Sequence, residues 1–286
     1  MKEFKDKVAL ITGAANGFGR EFLKEASRRG MRIAAVDIEK DEVDAAAEEA
    51  KSLGAAEIIT IKADVTKVED CEKAVDEVME KFGQIDLLMN NAGVVLPGTV
   101  WDTPVKDWEW ITHANFLSHV YFMHKVIPIM KKQGTHCNIV NTCSVAGLIT
   151  SNGMPAYHAT KHAAVALAES VSYDLQADGA DISISVYCPG FVQTDLHHSE
   201  RHKPEQYRDD SNPYYQSEEF ARGQKWAEQV ILTGIPIDSV GMRVFNAVEE
   251  DQFYILTHPI YSTFIGKRVQ DMLAGKGPDL VALRAR

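Results

Sequence analysis

Tyr157 and Lys161 stand four residues apart, a spacing that on a helix puts both side chains on one face and lets them reach a single reacting centre. A free tyrosine, with a pKa of about 10, is a poor base at neutral pH. A lysine charge about 4 Å away, in an effective dielectric near 20, favours the phenolate by roughly 4 kcal/mol, about three pKa units before any desolvation cost. The pair is therefore expected to serve as a general acid/base near neutrality. Ser144 lies thirteen residues before Tyr157. Its hydroxyl is expected to face a carbonyl oxygen and stabilise charge there, not to attack as a nucleophile. Alone, such a pair is common on helix surfaces, so its meaning comes from the elements around it.

Those elements alternate. Runs rich in β-branched residues at 8–12, 32–37, 58–62, 87–90, 138–142 and 182–188 predict strands, with a last strand at 253–257. They are nearly continuous apolar runs, the pattern of a parallel sheet covered on both faces. Helical patterning separates them: Asp41 is placed to cap a helix over 41–53, Thr103-Pro104 opens a long helix toward Met130, and Pro155 starts another that ends near Ala177. Strand and helix in alternation predict a doubly wound α/β sheet. Residues 191–225 break the regularity with His, Tyr, Pro and charge, and read as a mobile substrate-side insertion in one domain spanning 1–286.

The first strand runs straight into Thr12-Gly13-Ala14-Ala15-Asn16-Gly17-Phe18-Gly19 and then a helical run over 20–29. Gly13 permits a tight turn, Gly17 lets backbone approach a pyrophosphate, and Gly19 lets helix and strand pack closely. The helix N-terminus then faces the anion with unpaired N–H groups. Asp37 ends the second strand 18 residues beyond Gly19, where a carboxylate can accept from adenosine ribose hydroxyls. It is expected to select NAD over NADP, because a 2′-phosphate would lie against it and Ile38 brings no cation. Asp64-Val65 follows the third strand and suits the adenine ring, although Asp-Val-Thr also makes an ordinary turn and helix cap.

Taken together, the turn from Thr12 to Gly19, Asn90-Asn91-Ala92-Gly93, Asn115, Ser144, Tyr157-His158-Ala159-Thr160-Lys161 and Pro189-Gly190 resemble the short-chain dehydrogenase/reductase family over residues 5–260. The resemblance implies a Rossmann-type, seven-stranded parallel sheet and pro-S hydride transfer between NAD(H) and a secondary alcohol or ketone. It also implies that Lys161 holds the nicotinamide ribose and that Asn115 holds a water linking Lys161 to solvent. Asn91, Ala92 and Gly93 would line the cofactor, and Pro189, Gly190, Val192 and Thr194 would shape the nicotinamide pocket. Phe18 departs from the family, which commonly has a smaller aliphatic residue there. A homodimer or homotetramer through helices matching 104–130 and 156–177 is implied as well.

The substrate wall is expected to include Val95, Leu96, Val145, Asn152, Met154, Phe191, Leu196, Tyr214 and Tyr215, with Ser144 at its reacting end. That mixture suits a bulky apolar alcohol or ketone of steroid-like, terpenoid or aromatic type. A four-residue Tyr–Lys spacing speaks against an enoyl reductase. The rival reading is an inactive NAD-binding sensor of the same fold, which would not require Tyr157 or Ser144.

Composition narrows the remaining classes. A net charge of −11 without a Lys/Arg block disfavours nucleic acid. With 45% hydrophobic residues but no apolar run of spanning length, a soluble cytoplasmic protein without membrane partners is expected. The four cysteines form no C-x-x-C pair, and no metal is expected: His197, His198 and His202 lie in an irregular segment without a carboxylate or cysteine at standard spacing, and read as rim residues. Trp101, Trp108 and Trp110 are expected to pack a helix entrance or a subunit contact.

Overall fold

The computed structural model describes residues 1–279; the tail expected to complete the chain to 286 lies outside the described residues. Seven strands, β1 (Val8–Thr12), β2 (Arg32–Asp37), β3 (Glu57–Lys62), β4 (Leu87–Asn90), β5 (Cys137–Thr142), β6 (Ile182–Cys188) and β7 (Tyr254–Leu256), form one sheet in the order β3-β2-β1-β4-β5-β6-β7. Every pairing is parallel. The helices between them are α1 (Gly17–Arg28), α2 (Lys40–Lys51), α3 (Val68–Phe82), α4 (Val105–Thr112), α5 (Ser118–Gln133), α6 (Pro155–Ala177), α7 (Glu218–Leu232), α8 (Val240–Glu249) and α9 (Ile260–Leu273). This is the Rossmann-type doubly wound fold.

Alternation within β1 shows why the runs had to be apolar throughout. Val8 and Leu10 face a core shared with Val75, Val78, Phe122 and Val126 of α3 and α5. Ala9 and Ile11 face the opposite core with Phe22, Leu23, Val43 and Phe245 of α1, α2 and α8. Successive strand residues point to opposite faces, so a strand with helices on both sides has no solvent side to leave polar. Each fully buried Leu, Ile, Val or Phe contributes about 1.5–3 kcal/mol. The strand order reverses between β1 and β4, and at that switch point the loops beyond both strands splay to leave a crevice.

Element boundaries depart from expectation in instructive ways. α1 begins at Gly17, because Arg20 N already donates to Asn16 O at 3.2 Å. α2 begins at Lys40 with Glu39 as its N-cap, so Asp41 sits in the first turn, where its charge favours the positive helix end without capping it. The helix expected from Pro104 to Met130 is α4 and α5 joined by a π-helical turn, His113–Leu117. That turn carries Asn115.

The segment read as a mobile insertion is pinned to the body. It forms short 3₁₀ turns at Leu196–His202, Glu205–Tyr207 and Pro213–Gln216 before Ser217 caps α7 by accepting from Phe220 N at 3.1 Å. Lys203, 4% exposed, pairs at 2.7 Å with Asp107 of α4, which has no exposure at all. Tyr215 OH donates to the same Asp107 Oδ1 at 2.6 Å, and the ammonium lies 5.1 Å from the Trp110 ring centroid. Lys203→Met leaves that carboxylate buried without its cation and is expected to cost about 3 kcal/mol in urea unfolding. Adding Asp107→Asn should recover part of the loss; a single-variant cost below about 1 kcal/mol would contradict this anchor.

Candidate active site

The crevice at the switch point holds a narrow groove of about 180 Å³ lined by Gly13, Asn16, Gly17, Phe18, Asp37, Ile38, Asp64, Val65, Asn91, Ala92, Gly93 and Thr194. The expected cofactor residues of the first four strand ends therefore converge. Gly19 lies beneath: a Cβ there would meet Gly13 O at 1.9 Å, so the β1–α1 turn closes only with glycine. Asn91 braces this turn by donating to Thr12 O at 3.0 Å and accepting from Thr142 Oγ1 at 3.2 Å. Asp37 accepts from Ala15 N at 3.0 Å and Glu39 N at 3.1 Å. Burial raises its carboxyl pKa, and these backbone donors work against that rise. The Asp64 carboxylate is already engaged, through Oδ1 with Thr66 Oγ1 at 2.6 Å and through Oδ2 with Gln206 Nε2 at 3.2 Å. Asn16, at the groove, pairs with Glu42. Phe18, the atypical residue, packs edge-on against Tyr187 with ring centroids 5.3 Å apart.

Beside the groove opens a larger cavity of about 920 Å³, and Ser144, Tyr157 and Lys161 lie on its wall. Lys161, 3% exposed, is reached through the end of β5: its Nζ donates to Thr142 O at 2.8 Å. Asn115 is fully buried, and the widened π turn aims its amide at Val94, accepting from N at 2.7 Å and donating to O at 2.9 Å. Gly93 runs between the two, since a Cβ there would lie 3.2 Å from Asn115 Oδ1 and 3.6 Å from Lys161 Nζ. Ser144 Oγ accepts from Ala146 N at 3.1 Å and donates to Pro189 O at 3.4 Å.

The electrostatics correct one expectation. Burial pushes the Tyr157 phenol up to about 12, while its hydrogen bond to Ser144 pulls the other way. Burial also lowers the Lys161 ammonium below its usual range. Taking both charged forms out of water outweighs their mutual attraction, and the ammonium is turned to Thr142 O, 5.7 Å from the Tyr157 ring centroid. The protein by itself thus favours phenol over phenolate at neutral pH.

The wall of the larger cavity was only partly foreseen. Val95, Val145, Asn152, Met154, Phe191, Val192 and Leu196 line it with Pro189 and Gly190. Leu96, Tyr214 and Tyr215 do not. Leu96 packs with Trp110 and Ile111, Tyr214 OH donates to Pro97 O at 3.3 Å, and Tyr215 is held by Asp107. In their place stand Trp226, Ala227, Val230 and Ile231 of α7 and Tyr261, Phe264, Arg268 and Met272 of α9. Their spacing of three to four residues marks one face of a helix in the sequence, but nothing local says what that face meets. Two histidines were also missed. His158 accepts from Ser151 N at 3.0 Å and reaches Ala146 O at 3.0 Å, tying the Ser144 turn to α6. His258 accepts from Gly190 N at 3.0 Å and holds the strand end beyond β6.

Asp195 joins His197 and His198, with one ligand atom from each within 4.8 Å of the others, a carboxylate the sequence reading did not place there. Its other oxygen carries Arg201 Nη1 at 2.5 Å, so its charge is already matched. Trp110 is buried and lines the groove, whereas Trp101 is 79% exposed.

With this geometry in view, likeness to known proteins is specific. The short chain dehydrogenase family model matches residues 7–205, and the chain belongs to that family of oxidoreductases. It is 50% identical over 280 residues, 98% of each chain, to a CLA biosynthesis dehydrogenase/reductase of Lactiplantibacillus plantarum. It is 29% identical over 267 residues, 92% of this chain and 89% of the other, to 1-deoxy-11-beta-hydroxypentalenate dehydrogenase of Streptomyces avermitilis. Among solved structures, a short chain dehydrogenase/reductase from Burkholderia phymatum in complex with NAD superposes with a TM-score of 0.93 at 33% identity, covering 98% of each chain. None of the described helices is long and apolar enough to cross a membrane.

One contact fixes how the Ser144 turn meets α6: a Cβ on Gly147 would lie 2.6 Å from Lys161 O and 2.9 Å from Val165 Cγ2. Gly147→Ala is expected to destabilise by about 1–3 kcal/mol, read as a lower melting temperature. An unchanged melting temperature would contradict so close an approach.

Proposed function

We propose that the protein is an NAD(H)-dependent dehydrogenase/reductase acting on a bulky, mostly apolar secondary alcohol or ketone. The observation that carries this reading is the junction of groove and cavity. Phe18, Asn91, Gly93, Val94, Thr194 and Leu196 line both, and Ser144, Tyr157 and Lys161 face the cavity next to that junction. A dinucleotide along the groove would bring its nicotinamide to the reacting groups. The glycine-only turn, the Asp37 carboxylate and the groove itself fit such a molecule, and a bound nicotinamide would supply the hydride exchange.

This chain's own part is then proton handling and orientation. In reduction, the Ser144 hydroxyl would hold the substrate carbonyl oxygen while Tyr157, protonated at neutral pH, delivers the proton to it. Lys161 keeps a positive charge beside the phenol, favouring the phenolate left behind, and Asn115 holds the Val94 backbone in place along the route to Lys161. Asp37 favours NAD, since a 2′-phosphate would meet its carboxylate with Glu39 two residues on and no cation at Ile38 between them.

The substrate reading rests on cavity size and lining. Some 920 Å³ walled by Val95, Met154, Phe191, Val230, Phe264 and Met272 suits a large carbon skeleton, and the rim adds Lys267, Arg268 and Lys276 beside Asp271 and Asp279. A substrate with an anionic end fits that rim. The relative named for a hydroxypentalenate acts on a hydroxylated carboxylate by its name, and the more similar relative is named for CLA biosynthesis. The hydroxypentalenate name supports a bulky acid. A sensor without turnover is the second reading, and it gives no reason for Ser144 and Tyr157 to meet.

Tyr157→Phe is expected to keep NADH binding and to lose turnover about 10²–10⁴-fold, and full activity would remove Tyr157 from the reaction. The raised phenol sets the sign of the pH dependence. Alcohol oxidation needs the phenolate and should quicken with pH up to the phenol pKa, whereas ketone reduction uses the phenol and should stay level through neutrality. A bulky keto acid, its methyl ester and a small diketone, each run with NADH and NADPH, test the substrate and cofactor readings together. The keto acid with NADH should be turned over best, Asp37→Ala should narrow the NADH preference, and Arg268→Ala should raise KM for the acid but not for the ester. Equal use of NADH and NADPH, or preference for the small diketone, would overturn these assignments.

A further inference from the structure

The segment after β6 does more than wall the substrate cavity: it crosses the cofactor groove. Ser199, Arg201, His202 and Pro204 line that groove opposite the β1–α1 turn. The crossing is fastened at both sides. Ser199 Oγ accepts from Val95 N at 3.1 Å on the substrate side, and the Lys203–Asp107 pair anchors the same turn. Toward the adenosine side, His202 Nδ1 meets Glu39 Oε1 at 3.2 Å and Gln206 Nε2 donates to Asp64 Oδ2 at 3.2 Å. A molecule lying along the groove would pass under this strap.

The charges beneath it are unbalanced for an anionic ligand. Asp37, Asp64 and Asp195 all line the groove, and among the described lining residues Arg201 is the fixed cation. Arg201 is held by two contacts, Nη1 to Asp195 Oδ2 at 2.5 Å and Nε to His202 Nε2 at 2.9 Å. A guanidinium has five N–H donors in a rigid fork, so these contacts leave the Nη2 edge for a ligand. Because His202 Nε2 accepts from Arg201, the imidazole donates through Nδ1 to Glu39, and one chain of contacts runs from Asp195 to Glu39 across the groove.

We infer that residues 196–207 form a strap over the bound cofactor and that Arg201 is a cofactor-binding residue, pairing with the pyrophosphate from the side opposite the glycine turn. This rests on the NAD(H) reading above. The glycine turn and the α1 N-terminus offer backbone N–H groups and partial charge on one side of the anion; Arg201, its charge shared with Asp195, supplies the N–H donors of its Nη2 edge on the other.

The test is binding, independent of turnover: NADH, ADP-ribose, 2′-phospho-ADP-ribose and adenosine titrated calorimetrically into the wild type, Arg201→Met and Arg201→Lys. Arg201→Met should weaken NADH and ADP-ribose about tenfold or more and adenosine less than twofold, with Arg201→Lys in between. Equal weakening of ADP-ribose and adenosine, or none, would overturn the pairing, as would an effect confined to the 2′-phosphate analogue. Should Arg201→Met fail to fold, amide exchange on the wild type decides. ADP-ribose should slow exchange across 196–207 while adenosine leaves it nearly unchanged, and an unaltered segment would refute the strap. A wild type that binds neither NADH nor NADPH would sink the cofactor reading itself, a result distinct from normal NADH binding with an indifferent Arg201.

Discussion

Holding a lysine ammonium away from water beside a buried phenol is the constraint around which the rest of the site is arranged. Desolvating either charge costs several kcal/mol, so the protein must offer compensating polar groups without leaving any of them loose. Lys161 meets the Thr142 carbonyl where β5 ends, one residue beyond its last pairing with β4 at Asn141. Asn115 comes within reach of the same corner only because the helix loosens into a π turn there, and Gly93 admits both because it has no side chain. Ser144 caps the short turn that follows β5 and is pressed toward α6 by the Gly147 contact. Each of these features is local, and their convergence comes from the parallel sheet, which puts the C-terminal ends of all its strands on one side.

Burial also decides which form of the Tyr157 phenol is resident. With the phenol pushed well above its free value, the protein stores a proton donor, and deprotonation falls to the moment when compensating charge gathers around it. The small groove and the large cavity divide the remaining work: one is narrow and lined with carboxylates and backbone, the other wide and apolar with a charged rim. Thr194 and Leu196 border both, and the segment runs on along the groove to Pro204. Its anchoring to Asp107 by a buried ion pair means that any movement of the strap must disturb α4, the helix that runs directly into the π turn carrying Asn115.

Legibility in the sequence followed the range of the interactions. The strands, the glycine turn, Asp37 and the order of Ser144, Tyr157 and Lys161 could be read because each is a pattern within a few residues: continuous apolar runs, a strand-turn-helix junction, a four-residue helical spacing. The fold emerged from these repeats. What could not be read depended on distant partners. Lys203 and Asp107 are 96 residues apart, and neither looks unusual alone. Tyr214 and Tyr215 carry the aromatic bulk expected of a substrate wall, yet Pro97 and Asp107 draw them aside, and α7 and α9 line the large cavity instead. The π turn left no trace because its residues, His113–Leu117, continue an ordinary helical pattern. The charge argument for Tyr157 erred for the same reason: spacing reports proximity to a lysine but not the depth at which both are buried.

The claim that burial governs the Tyr157 phenol is tested most directly by titrating it in the free protein. Tyrosine labelled with ¹³C at the ring Cζ would be followed by NMR, with Tyr157→Phe used to assign the resonance. The account predicts a midpoint near 12, moving down when NAD⁺ is added. A Tyr157 resonance that titrates at or below 10 in the free protein would contradict it, and would return control of the phenol to the Lys161 charge.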